Sequence, residues 1–166
     1  MTTLVLLRHG IAIDRDDPAC PDDPERALTA QGRKRTESAM RGLARLDVRP
    51  DAIYTSPYVR AVQTAEIARD LLAPRLDPVR VPELLPEADP TSLLARVHEA
   101  GPGTFLLTGH NPHLSLVLAR LVGSREPFAW LKKSGVAVIE WHPERLCGDL
   151  LCLATPRMLR ALGDES

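Results

Sequence analysis

Two histidines, His9 and His110, each stand just past a short unbroken apolar run, residues 4–7 and 104–108. Such a run, closed by glycine, predicts a strand buried on both faces. In open α/β sheets the ligand crevice lies outside the carboxyl ends of strands of that kind. Arg8 adjoins His9, and Arg60 falls in the first turn of a helix predicted to begin at Ser56-Pro57. Gly10 permits close approach of backbone, and Asn111-Pro112 predicts a helix start whose free N–H groups face the same place. Four groups able to carry positive charge, from three segments, thus converge on one spot. That arrangement of local positive charge suits a phosphoryl group. Taken singly, each residue also fits a blander role: a satisfied structural histidine, or a solvated arginine on a helix.

The elements that must hold these residues follow from pattern. Residues 14–25 carry Asp14, Asp16, Asp17, Asp22, Asp23 and Glu25 with Pro18, Pro21 and Pro24, which predicts an exposed loop. Thr29 caps a helix to about residue 46, with Thr36, Ala39, Met40 and Leu43 on one face. A second strand at 51–55 leads into Ser56-Pro57, read as cap and first helical residue. A third strand near 79–81 is followed by a loop broken by Pro82, Pro86 and Pro90, and Asp89-Pro90 opens another helix. Asn111-Pro112 repeats the cap-then-proline start. Strands at 136–141 and 149–154 close the chain. Alternation of strands and helices predicts one three-layer α/β/α domain over residues 1–166, with a mostly parallel central sheet whose last strands are candidates for antiparallel pairing.

Composition narrows the function classes. Lys plus Arg is 21 against 22 for Asp plus Glu in 166 residues, a net charge of -1. That balance leaves no general footprint for nucleic acid or an anionic membrane, so an anion must be held by local placement of charge. No apolar run approaches the length of a membrane span, and residues 1–8 do not read as a signal peptide. The three cysteines, Cys20, Cys147 and Cys152, form neither a disulfide framework nor a zinc site, and a reducing cytoplasm is the expected location.

Four segments carry a family resemblance. Leu6-Leu7-Arg8-His9-Gly10 resembles the R-H-G signature of the histidine phosphatase superfamily, which includes the cofactor-dependent phosphoglycerate mutases. Leu28-Thr29-Ala30-Gln31-Gly32 is similar to that family's L-T-x-x-G segment. Ser56-Pro57-Tyr58-Val59-Arg60-Ala61-Val62-Gln63-Thr64-Ala65 is similar to its S-P-x-x-R-A-x-Q-T-A segment, and Gly109-His110-Asn111-Pro112 to its second-histidine motif. They occur in the family's order and span residues 4–112. The short stretches between them, and Val81-Pro82-Glu83-Leu84, resemble the SixA-type phosphohistidine phosphatases most. The resemblance implies the histidine phosphatase fold and a metal-independent, cofactor-free phosphatase. His9 would form a covalent phosphohistidine, with Arg8, Arg60 and His110 clamping the phosphoryl oxygens and Asn111 as a further phosphate-binding residue. It also implies Glu83 as the general acid, while Glu87, Asp89, or no side chain at all remain open for that role.

An imidazole leaving group has a pKa near neutral and needs little help from an acid, so the expected substrate is phosphohistidine on a protein. A small phosphorylated metabolite, hydrolysed as a phosphomonoester, is the alternative, and a non-catalytic phospholigand-binding module the second. Neither nucleic acid nor membrane is expected as a partner, and oligomeric state is open. The Cys20–Arg26 spacing is that of cysteine-dependent phosphatases, but two prolines and three carboxylates between them argue against it. A metal pair on His110 and His113 lacks further ligands. Arg33-Lys34-Arg35 reads as a solvated helix face, with docking of an acidic partner as the other possibility. Whether residues 14–25 close over the site is open.

Overall fold

The computed structural model describes residues 1–164. Its six strands are β1 (Thr2–Arg8), β2 (Ala52–Thr55), β3 (Val79–Arg80), β4 (Gly103–Gly109), β5 (Val136–His142) and β6 (Cys147–Ala154), in the sheet order β3-β2-β4-β1-β5-β6. The pairings β2–β3, β2–β4 and β1–β4 are parallel, and β5 runs antiparallel to both β1 and β6. Only β5 is therefore reversed, because its link to β6 is a tight turn over Pro143–Arg145 whereas the parallel pairs are joined by crossover helices.

Residues Leu4, Val5, Leu6 and Leu7 are fully buried, as an unbroken apolar run in a central strand requires. Alternate residues serve opposite faces. Leu4 and Leu6 pack with α3 (Pro90–Ala100) and α4 (His113–Leu121) through Leu93, Val97, Leu114 and Leu118. Val5 and Leu7 pack with α1 (Ala30–Arg45) and α2 (Val59–Leu72) through Met40, Leu43, Ala65 and Ala68. Helices on both faces of one mostly parallel sheet give the three-layer α/β/α arrangement expected from the sequence.

A fifth helix, α5 (Pro156–Asp164), was not legible from pattern: it is a short amphipathic helix of about two and a half turns beyond the last strand. Leu159 enters the same core as α1, and Gly42 of α1 makes the approach possible. A Cβ on Gly42 would run into the backbone carbonyl of Leu159, which cannot swing aside as a side chain could.

Two helix starts differ from expectation. α2 begins at Val59 and α4 at His113, so Ser56-Pro57 and Asn111-Pro112 form the approach to each helix instead of its first turn. Ser56 Oγ accepts from Tyr58 N at 3.3 Å but caps no helical turn, and Asn111-Pro112 is a cis peptide. Thr29 and Asp89 do cap, accepting from Gly32 N and Thr91 N.

Candidate active site

Register brings the site together. Arg8 pairs with Gly109 across β1–β4, and Thr55 with Thr108 across β2–β4, so three strands end at one level. His9 N–H donates to Gly109 O at 3.0 Å, and Ser56 N–H to Thr108 O at 2.9 Å. The residues that follow these strands, His9, Ser56 and His110, therefore stand side by side, the two imidazole centroids 5.0 Å apart. Gly10 carries the close approach here. A Cβ would collide with Thr36 Oγ1, which is hydrogen-bonded to Ser134 Oγ at 2.8 Å, and Gly10 N–H donates to Thr64 Oγ1 at 3.0 Å.

Two contacts define the protonation of His9. Nδ1 lies 2.7 Å from Gly10 O, which can only accept, so Nδ1 carries the hydrogen and donates it. Arg60 Nε–H donates to His9 Nε2 at 3.3 Å, which needs a bare lone pair there. The neutral ring is thus held with Nε2 as its nucleophilic atom. Burial pushes the His9 pKa down to about 3, and the positive charges of Arg60, Arg8 and Lys133 push the same way against the Gly10 bond. His110 goes down to about 2, again mainly by burial, with His9 and Arg60 adding to it. His110 Nε2 and Ser56 Oγ share a hydrogen bond of 2.8 Å, and its ring meets Tyr58 edge-on at 5.1 Å. Its Nδ1 is buried with no hydrogen-bond partner among the described residues.

Arg8, His9, Arg60, His110 and Asn111 all line one cleft of about 550 Å³. Arg8 Nη1 donates to Leu131 O at 2.8 Å, and its Nε is buried without a partner among the described residues. Arg60 is buried, with Nη1 donating to Asp23 O at 2.6 Å and Nη2 to Asp23 Oδ2 at 3.1 Å. Asn111 is at the cleft, but both ends of its amide are engaged: Nδ2 donates to Leu131 O and Oδ1 accepts from Ser115 Oγ. Its side chain holds the neighbouring backbone, and the second N–H of Nδ2 is the donor it could offer a phosphate oxygen.

Glu83 lies elsewhere. It is outside the cleft lining, on the short turn Pro82–Leu84, with Oε1 accepting from Arg96 Nη2 at 2.8 Å. That bond holds its carboxyl below the ordinary range, so it has no proton to give near neutral pH. Asp89 is spent on capping α3 through Thr91, which likewise lowers it. Prolines 82 and 86 turn this stretch so that Pro86, not a carboxylate of it, reaches the cleft.

Two cleft residues, Arg26 and Lys133, and one beside the cleft, Asp23, were not singled out for this site from sequence. Arg26, set aside with Cys20, lines the cleft and donates from Nε to Asp23 Oδ1 at 2.9 Å and from Nη1 to Ile13 O at 2.7 Å. Lys133 arrives on the strap 131–135, held under β1 by Ser134 N–H donating to Arg8 O at 3.0 Å. Asp23, on the acidic loop, reaches Arg60 from the other side, and its carboxyl is held down to about 2 by Arg26 and Arg60 against the effect of burial. The D-x-x-R spacing of Asp23 and Arg26, just before Leu28-Thr29, is the signal that could have found them. Asp14, Arg15 and Asp16 add the loop's exposed rim. Among the described residues no three His, Cys, Asp or Glu gather as a metal site, and no helix is long and apolar enough to cross a membrane.

The depressed histidines predict a pH effect on stability. His113, buried with both ring nitrogens unpartnered among the described residues, is lowered to about 4 and joins His9 and His110. All three stay neutral in the fold while the unfolded chain takes up protons below about 6.5. Stability is therefore full above that pH and falls as pH drops toward the folded values, at roughly 1.4 kcal/mol per proton per pH unit. Urea unfolding at pH 7 and pH 5 should differ by ~6 kcal/mol, and the imidazole C–H resonances of these three should not titrate between pH 5 and 8. Equal stability at the two pH values would contradict the burial argument.

Residues 4–92 match the histidine phosphatase superfamily (branch 1). An uncharacterised protein of Picosynechococcus sp. (strain ATCC 27264 / PCC 7002 / PR-6) is 35% identical over 176 residues, covering 94% of this chain and 98% of that protein. Among solved structures, the protein histidine phosphatase SixA complexed with tungstate superposes with a TM-score of 0.82 at 25% identity, covering 94% of this chain and 98% of that one. The alpha-ribazole phosphatase from Shigella flexneri shares the fold, with a TM-score of 0.75 at 19% identity over 93% and 97% of the two chains. A family match across more than half the sequence and a relative aligned almost end to end agree with the sheet order and the strand-end site, and the protein belongs to the histidine phosphatase superfamily, branch 1.

Proposed function

We propose that residues 1–166 act as one metal-independent phosphatase domain that forms a covalent phosphohistidine on His9 and takes the phosphoryl group from a phosphohistidine on another protein. His9 Nε2 attacks phosphorus as the P–N bond to the leaving imidazole breaks. Water then attacks the phosphoryl group on His9, releasing phosphate and restoring the ring, whose Nδ1–H stays on Gly10 O throughout. Arg8, Arg60 and His110, with Arg26 and Lys133 nearby, surround the oxygens on which charge spreads. Positioned guanidinium and ammonium groups can supply the charge stabilisation that other phosphoryl-transfer sites draw from a divalent ion.

The observation that carries the choice of substrate is the state of the carboxylates. Asp23 is held ionised by Arg26 and Arg60, and Glu83 by Arg96 outside the cleft. Neither can protonate a leaving alkoxide. A phosphohistidine protonated on its second ring nitrogen departs as neutral imidazole and needs no such donor. A second reading, hydrolysis of a small phosphomonoester, draws support from the cleft volume of about 550 Å³, within the size range of small-ligand pockets.

Phosphate release from a phosphohistidine protein and from an alkyl phosphomonoester such as glycerol phosphate, whose leaving alkoxide does need an acid, each with and without chelator, separates these readings. Release from the protein should be at least about tenfold faster, and unchanged by chelator. Faster turnover of the ester would establish the small-molecule reading instead, and binding of either without release would leave a phospholigand-binding module.

A further inference from the structure

A second cleft, of about 670 Å³, adjoins the catalytic one and shares Arg8, Ile11 and Lys133 with it. Its cations come from four segments: Arg8 at the end of β1, Arg35 on α1, Lys132 and Lys133 on the strap, and Arg157 and Arg160 on α5. No Asp or Glu is among the described residues that line it. Arg35, Lys132 and Arg157 are exposed. Among the described residues none of these three, nor Arg160, enters a side-chain ion pair. Against a net charge of -1 for the chain, that is a concentrated local excess of positive charge. Of the run Arg33-Lys34-Arg35, Arg35 alone lines this cleft.

The chemistry of the lining indicates the occupant. A pocket for a small polyanion fixes it with a few preorganised, mostly buried donors. Here the donors are long, flexible, solvent-facing cations spread over three elements and the strap. Such a surface suits many weak ionic contacts with a polypeptide, which steer encounter and select partners by charge. Its place, continuous with the catalytic cleft through Arg8 and Lys133, means that whatever lies in it flanks the phosphoryl group bound at His9.

We propose that this basic groove docks the acidic polypeptide face around the phosphohistidine of the substrate protein. The inference rests on the phosphohistidine reading above and adds the chemistry of the flanking sequence. It gives α5 a role besides packing: Arg157 and Arg160 are carried on the helix that Gly42 lets settle against α1.

The test uses two short synthetic peptides with one phosphohistidine each, flanked by Glu in one and by Gln in the other, together with free phosphohistidine. Wild type should prefer the Glu peptide by about tenfold in kcat/KM, and salt near 0.5 M should erase most of that preference, as screening of exposed charges requires. The triple variant Arg35→Gln, Lys132→Gln, Arg157→Gln should lose the preference through KM while its turnover of free phosphohistidine stays within about twofold. Arg35→Lys with Arg157→Lys should retain the preference. Equal use of the two peptides by wild type, or an unaltered preference in the triple variant, would overturn the docking surface while leaving the phosphohistidine reading intact. Loss of activity on all three substrates together in the triple variant would also overturn it, since the groove would then serve the fold or the catalytic cleft. A wild-type dimer that the triple variant converts to monomer would assign the groove to a second copy of the chain instead. Failure of wild type on every phosphohistidine substrate, with turnover of p-nitrophenyl phosphate, would overturn both readings.

Discussion

Replacing His9 by Ala should lower kcat by at least about 10⁴-fold and abolish the phosphoenzyme. The size follows from the loss of the covalent route itself, since no neighbouring group can take over the attack. His110 is the nearest imidazole, but its Nε2 is engaged with Ser56 Oγ and its Nδ1 is buried. Rapid mixing with a labelled phosphohistidine protein and an alkaline quench, which preserves phosphohistidine, should recover label on wild type. None should appear on the His9→Ala chain. His110→Ala should still be labelled, more slowly, because it loses charge stabilisation and not the attacking atom. Label retained by His9→Ala would mean that another residue is the nucleophile, and the tautomer argument would lose its purpose.

Much of this site could be read in the chain because strand ends are strong signals. The apolar runs before His9 and His110 have few other ways to fold than as buried strands, and parallel strands that begin together end together. The sheet and the convergence of Arg8, His9, Arg60 and His110 were therefore legible. Side-chain allegiance was less so. Ser56 and Asn111 have the composition of helix caps, yet each serves the site at longer range, Ser56 on His110 and Asn111 on Leu131. Local propensity favours a cap, and a partner 54 residues away in the chain for Ser56, or 20 for Asn111, cannot be seen in it. Glu83 shows the same limit. Its position in the sequence suits an acid, but Arg96, a helix away, claims the carboxylate.

The acidic loop was legible as exposed but not as functional. Five aspartates and a glutamate among prolines read as a solvated segment, and most of it is exposed. What pattern could not show is that one of these acids, Asp23, turns inward. Three arginines, Arg15, Arg26 and Arg60, gather on it, and a carboxylate with that many partners is held in place at the edge of the cleft, still partly in contact with water. Charge that looks like repulsion of an anionic substrate in the sequence is, in the fold, partly neutralised by the cations that accompany it. Lys133 was missed for a different reason: the strap 131–135 has no periodicity, and its position depends on backbone bonds to Arg8 and His9.

Arg60 and Asp23 should respond to substitution in opposite directions. Arg60 is committed on three sides: Nε to His9, Nη1 and Nη2 to Asp23, with its Cζ 5.0 Å from the centre of the Tyr58 ring. A lysine there offers one compact charge and cannot serve His9 and a phosphoryl group through one planar fork. Arg60→Lys should lower kcat/KM by about 10²–10³, the range for losing one preorganised donor to the transition state, and should raise the inhibition constant of inorganic phosphate. Asp23→Asn keeps the shape but removes a negative charge from the guanidinium that the phosphoryl oxygens must share. Phosphate should then inhibit more strongly, by about tenfold, because an anion no longer competes with a carboxylate for the same N–H groups. The kcat should fall less than tenfold, reflecting an Arg60 held less firmly. Weaker phosphate inhibition in Asp23→Asn would mean that Asp23 positions Arg60 and does not compete for it, so the carboxylate would belong to the binding machinery and not oppose it.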